Sequence, residues 1–85
     1  MPRFYLHLRD HVDEIIDDEG LELSDLEAVK KAVMAAARDV MSGDVRAGVL
    51  DLRYRIDAED EQGDIAYSLP FQYAVSIVPT ADAAA

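Results

Sequence analysis

The sequence predicts an α+β domain in which a single helix packs on an antiparallel sheet of three to four strands, in the order β-β-α-β-β. Three observations lead to this fold class. Apolar and polar residues alternate near the start, a capped segment of helical period follows, and two more alternating runs flank a glycine-containing turn. The 85 residues have room for one domain, predicted over 1–78, with a small-residue tail at 79–85.

The first hairpin is predicted from the segment Arg3–Arg9. Phe4, Leu6 and Leu8 alternate there with polar or amphipathic residues, and this period of two is typical of a strand with one buried face. The segment 14–17 would form a short return strand, which ends before Gly20.

The helix is predicted over about 25–42. Ser24 is the expected N-cap, and Glu27 three residues later completes a capping box. Gly43 is the residue expected just after the helix end. At 100° per residue the apolar side chains form one stripe that should face the sheet. The stripe consists of Leu26, Val29, Val33, Ala36, Ala37 and Val40.

The closing hairpin is predicted from alternating runs at 50–56 and 64–69, joined by a polar turn at 58–63. Pro70 has no N–H for a strand ladder, so the second strand should stop there or lie at an edge. The segment 72–78 fits either a short last strand or a helical turn.

Composition and charge exclude several classes of function. With 51% apolar and 31% charged residues, the chain is typical of a globular domain. Eight Lys and Arg against 18 Asp and Glu leave a net charge of −10, which argues against binding nucleic acid or an anionic membrane. The absence of cysteine excludes disulfides and thiolate chemistry. Without a basic leader or a long apolar run, the expected location is the cytoplasm.

No catalytic, cofactor or metal site is predicted. His7, His11 and Asp13 are the nearest approach to a metal-binding set, but they lie on a strand and its turn, where His7 is expected to be a solvated polar residue. Nine carboxylates at 10–27 and five at 57–64 lack the calcium-loop pattern, since Gln62 stands at its glycine position. The serines and glycines fit neither a nucleophile elbow nor a phosphate-binding loop, so the sequence predicts no enzyme.

The sheet face opposite the helix, here called the outer face, is the candidate binding surface. It is predicted to gather five basic and aromatic side chains of an acidic protein together with His7: Arg3, Tyr5, Arg9, Arg53 and Arg55. A partner-binding role competes with the simpler interpretation of an ordinary polar face on a one-sided sheet.

The order of motifs resembles a family of short bacterial proteins of unknown function. Those proteins open with Met-Pro-Arg-aromatic-aromatic-x-His, and Met1–Asp10 is similar, although Leu6 stands where the family often has an aromatic residue. Further similarities lie at the helix entry and in the closing hairpin: Asp17–Leu23, Asp25–Ala28, Ile56–Asp57, Gly63 and Leu69–Phe71. The resemblance extends over about 3–78 and implies a fold but no activity.

A weaker resemblance, over Gly20–Ala37, is to antitoxins of the HicB type, whose Pro-Asp-x-Pro-Gly signature is missing. Three hypotheses follow. The first is a non-enzymatic protein-interaction module that binds a protein partner or itself, for example as a homodimer. The second is an antitoxin-like regulator or nucleic-acid mimic that binds a basic partner. The third is a small enzyme or anion binder that uses Tyr5, His7 and the arginines of the outer face.

Overall fold

Five strands and one helix form the fold of residues 1–80, the part of the chain that the computed structural model describes. In chain order these elements are β1 Arg3–Arg9, β2 Glu14–Ile15, β3 Leu21–Glu22, α1 Leu26–Ala47, β4 Arg55–Glu59 and β5 Ile65–Pro70. The predicted α+β class is confirmed, with one helix against an antiparallel sheet. The sheet has five strands because the segment before the helix forms two short ones in place of one.

The sheet has the order β2-β1-β4-β5, and β3 also pairs with β1. Since β4 takes one edge of β1, β2 and β3 share the other edge, at Leu8–Arg9 and at Arg3–Phe4 respectively. Between these two short pairings, the Leu6 N–H donates to the Asp17 carboxylate at 3.1 Å. A side chain therefore takes the place of a backbone partner in the middle of the edge.

The core lies between α1 and the sheet, and the predicted stripe faces it only in part: Leu26 at the start of the helix is 48% exposed, whereas Met41 is buried. Val29, Val33 and Ala37 are fully buried on the helix. On the other side the core is completed by Ile56, Ala58, Leu69, Phe71 and Ala74. Phe71 begins a 3₁₀ turn over Phe71–Tyr73, which places its ring next to Tyr54.

Both predicted ends of the helix are wrong. Asp25 is the N-cap in place of Ser24: its backbone is extended and its Oδ1 accepts from the Ala28 N–H at 2.8 Å. A carboxylate at this position also complements the positive end of the helix dipole. The helix continues through Gly43, whose cost of about 1 kcal/mol is tolerable in a packed helix. It ends at Gly48, where φ is +95°.

The predicted start of the fourth strand is also wrong. Residues 50–54 form a loop, and the strand runs from Arg55 to Glu59. Because the helix is longer than predicted, this loop carries the chain back to the sheet. The hairpin turn moves correspondingly, with the Asp60 carboxylate accepting from the amides of Gln62 and Asp64. The alternation at 64–69 predicts Ile65 on the same side of the strand as Leu69, facing the core, but Ile65 is 55% exposed beside an irregularity in the pairing of β4 with β5.

Beyond β5 the chain has little regular structure. The ambiguous segment 72–78 contains only the end of the 3₁₀ turn, and residues 75–80 follow without helix or strand. Of the predicted tail, residues 81–85 lie outside the described residues. Within 1–80, α1 offers no apolar stretch sufficient for crossing a membrane.

Candidate functional site

The outer face brings together five of the six predicted binding residues. Strand alternation places Arg3, Tyr5, His7 and Arg9 of β1 on this face, and Arg55 of β4 lies directly opposite Arg9. The sixth, Arg53, does not join them. It precedes β4, and its guanidinium binds the Asp51 carboxylate at 2.8 Å. This pairing lowers the pKa of Asp51 to about 2.

A buried carboxylate, Asp57, lies at the centre of the outer face. It stands opposite His7 on one neighbouring strand and Ser68 on the other, and it is only 1% exposed. Its oxygens accept from Ser68 Oγ at 2.6 Å, from Arg9 Nη1 at 3.0 Å and from Arg55 Nε at 3.1 Å.

These partners decide the charge state of Asp57. Burial by itself raises the pKa of the carboxyl, but hydrogen bonds from Ser68 and Arg9 and the charge of Arg55 outweigh it, and the pKa is lowered. The hydrogen bond with Asp57 in turn raises the pKa of Arg9, against the effect of desolvation. The network thus holds a buried anion between two cations.

His7 is buried, contrary to the expectation of a solvated residue, and both of its ring nitrogens face polar groups. Nδ1 accepts from the Asp17 N–H at 3.1 Å, and Nε2 lies 3.5 Å from Glu59 Oε2. The ring also stacks against Tyr5 at 6.4 Å between centroids. In the described part of the chain, no three His, Cys, Asp or Glu side chains are placed to hold a metal ion.

The loop between β2 and β3 covers this part of the outer face. Asp17 orders it by accepting from the N–H groups of Leu6, Glu19 and Gly20. Burial raises the pKa of Asp17, and these backbone hydrogen bonds more than offset that effect, so the pKa is lowered. Gly20 has a φ of +73°, and a Cβ there would lie 2.9 Å from atoms of both Arg3 and Tyr5. Glycine is therefore required by both conformation and space.

The arginines of the outer face are already paired within the protein. Arg3 binds the Glu22 carboxylate and the Glu19 carbonyl, and Arg9 reaches Glu14 at 3.0 Å in addition to Asp57. A partner at this face would have to compete with these contacts. The alternation with Ile56 puts Asp57 on the polar side of the strand, but its membership of the acidic cluster at 57–64 predicts a solvated carboxylate. The structure instead buries it within β4, and no local pattern in the sequence signals this burial.

A second candidate surface is an apolar groove at the C-terminal half of α1, here called the helix-end groove. It has a volume of about 460 Å³. Its lining consists of Arg38, Met41, Ser42, Val45, Arg46, Leu50, Val75 and Ile77. Val45 is 61% exposed and Ile77 is 62% exposed. Arg38 Nε donates to the Ala74 carbonyl at 2.9 Å, which connects the two walls.

Sequence reasoning missed this groove for a specific reason. Val45 and Arg46 lie beyond the predicted end of the helix, and Val75 and Ile77 lie in the segment that could not be assigned. The only available signal was the density of apolar residues at 45–50 and 73–78 in a chain of high charge.

Comparison with known proteins places the chain in a family. Searches of curated proteins and of solved structures give no match. A family model described as a domain of unknown function, DUF6894, matches residues 3–72, which include every strand and the helix described above. This match confirms the resemblance to short proteins of unknown function. The chain therefore belongs to the DUF6894 family.

Proposed function

We propose that this protein is a small non-enzymatic interaction module, and that the helix-end groove is the surface with which it binds a protein partner. The groove carries the proposal because it leaves large apolar side chains in water on a small, highly charged domain. Contiguous exposed apolar surface of this kind marks interaction sites in soluble proteins.

The dimensions of the groove support this role. Its volume of about 460 Å³ gives room for side chains of a partner. Its lining combines five apolar side chains with two arginines, the mixture of apolar and polar groups that protein interfaces contain. Arginine is also among the residues enriched where partners bind most strongly.

The outer face supports a structural role better than a catalytic one. General acid or base catalysis requires a group whose pKa lies near the working pH. The pKa of Asp57 is instead lowered, and its oxygens are occupied by Ser68, Arg9 and Arg55. The outer face is a second proposed binding surface. It ranks behind the groove because a partner that bound there would have to break ion pairs that its arginines already make within the protein.

The alternative, an acidic regulator of a basic partner, rests on the net charge of −10. Many of the carboxylates at 10–27 already serve the fold. Asp10, Asp17 and Asp25 accept from backbone amides, whereas Glu14 and Glu22 pair with arginines. We therefore rank this alternative second.

The proposal is tested by expressing a tagged copy of the protein together with an untagged copy, crosslinking the native lysate and capturing the tag. The untagged copy is present so that a second copy of the chain can also be captured as the partner. The wild type is compared with Val45→Glu, which puts a charge into the groove, and with Ala35→Glu on the exposed side of the same helix. We expect the wild type and Ala35→Glu to capture the same protein, and Val45→Glu to lose it with an unchanged circular dichroism spectrum. Capture of the same proteins by all three, or of none by the wild type, would contradict the proposal.

A further inference from the structure

A second exposed apolar surface lies on the turn that connects β1 with β2. This β1–β2 ridge, Val12–Ile16, presents three aliphatic side chains to solvent. Val12 is 73% exposed, Ile15 is 63% exposed and Ile16 is 51% exposed. The turn itself is well ordered by the Asp10 carboxylate, which accepts from the amides of Val12 and Asp13. The pairing of Ile15 with Leu8 holds the rest of the ridge. Val12 lies beside Arg9 and Arg55 of the outer face, and Ile15 lies on the side of the sheet that carries Leu8, so exposed aliphatic side chains cover this end of the sheet on both faces.

The charges of the ridge and of the helix-end groove are complementary. The groove lining contains two arginines and no carboxylate. The ridge contains Asp13 and Glu14, within a stretch of nine acidic residues that has no Lys or Arg. Opposite charges on two surfaces favour their encounter and fix their register.

One charge on each surface has no partner within the part of the chain described here. Arg46 makes no ion pair or side-chain hydrogen bond with any of residues 1–80, and neither does the carboxylate of Asp13. Arg38 donates only to a backbone carbonyl there, that of Ala74. Most other cations, by contrast, are paired with carboxylates of their own chain.

Both surfaces lie at the same end of the sheet. Arg9, which precedes the ridge, pairs directly with Arg55, the first residue of β4, and the loop before β4 leads back to the end of α1. Two copies can therefore exchange ridge and groove reciprocally around a twofold axis. Such an arrangement closes on itself as a dimer and leaves neither surface free for chain growth.

Resting on the proposed function, we propose that the occupant of the helix-end groove is a second copy of this chain. Ile15 and its neighbours on the β1–β2 ridge of one copy enter the groove of the other, and Asp13 meets Arg46 across the contact. The proposal names one partner for both exposed apolar surfaces, and it accounts for their opposite charges.

Sedimentation equilibrium over a concentration series tests the proposal, using Arg46→Glu, Asp13→Arg and an equimolar mixture of the two. The wild type should form a dimer. Each single variant should raise the dissociation constant about tenfold or more, because like charges then meet. The mixture should recover most of the lost affinity, since the reversed charges are again opposite.

Lys31→Glu is the matched control, because it makes the same change of charge on the same helix outside the groove lining. It should dimerise like the wild type. A monomeric wild type, an equal effect of Lys31→Glu and Arg46→Glu, or a mixture no tighter than the single variants would each overturn the inference. A monomeric wild type that still captures another protein through Val45 would leave the proposed function intact.

Discussion

The two faces of the sheet are both buried at their centres, but by different interactions. Under α1 the burial is apolar, with Val33 and Phe71 fully enclosed. On the outer face the buried side chains are His7 and Asp57, held by hydrogen bonds and ion pairs beneath the loop that Asp17 orders. A one-sided sheet usually leaves its second face to water. Here that face forms a second, polar core.

This difference implies different consequences of mutation. Apolar burial is nondirectional and tolerates small changes in shape. A buried ion-pair network depends on every partner, because removing one leaves the others desolvated and unpaired. The predictions below compare the two faces, from the largest expected effect to the smallest.

Replacing Val33 with Asp should prevent folding. The side chain is fully buried against the sheet, and a carboxylate there would have no partner. Circular dichroism of Val33→Asp at 25 °C should show loss of the helix. Ala35→Asp, on the exposed side of the same helix, should fold normally. Equal loss in both variants would show that the helix is enclosed on all sides.

Replacing Asp57 with Ala should lower the free energy of unfolding by about 3 kcal/mol. The loss arises because Arg9 and Arg55 keep their charges without their common partner. It lies at the low end for a buried ion pair, since the guanidinium of Arg55 remains partly exposed. Urea unfolding measures the change, with the exposed Asp18→Ala as control. A loss of stability no greater than that of Asp18→Ala would show that the outer face is an ordinary polar surface.

Acid should weaken the same network. The folded-state pKa of Asp57 lies below the ordinary value of 3.8, so its contribution is complete above that pH and disappears as the pH falls through the folded pKa. The free energy of unfolding should therefore fall more steeply below about pH 4 in the wild type than in Asp57→Asn. Asp10, Asp17 and Asp51, which also have lowered pKa values, are present in both proteins and cancel in the comparison. Parallel pH profiles would contradict the assignment to Asp57.

Gly20→Ala should destabilise the loop that covers the outer face by about 2 kcal/mol. Part of the cost is the positive φ, and part is the crowding of the new Cβ against Arg3 and Tyr5. Gly48→Ala is the matched control, because it also has a positive φ but open space around the added carbon, and it should cost about 1 kcal/mol. Thermal unfolding compares them. Equal losses in Gly20→Ala and Gly48→Ala would show that crowding against Arg3 and Tyr5 adds nothing to the cost at Gly20.

The smallest effect concerns the start of the helix. Asp25→Ala should cost about 1 kcal/mol, because the Ala28 amide loses its acceptor. Ser24→Ala should change the melting temperature little, although its sequence context resembles a capping box more closely. A larger loss of stability in Ser24→Ala than in Asp25→Ala would show that Ser24 is the N-cap.

Part of the candidate site on the outer face could be predicted from the sequence. Alternation within β1 was sufficient to place Arg3, Tyr5, His7 and Arg9 on one side. It could not reveal that Asp57 faces His7 and Ser68 across two strand pairs, because register depends on contacts between distant segments. It also placed Arg53 wrongly, since the start of β4 is set by the length of the helix before it.

Local patterns in the sequence determined the fold class, the order of the elements and the buried stripe of α1, because hydrophobic period is a property of neighbouring residues. Tertiary structure alone decided the competing alternatives. Asp25 and Ser24 are both good caps, and Gly43 and Gly48 are both good helix ends, so packing made the choice. The buried polar core and the helix-end groove likewise form only where segments far apart in the chain meet. A pattern of neighbouring residues contains no information about which distant segments come into contact.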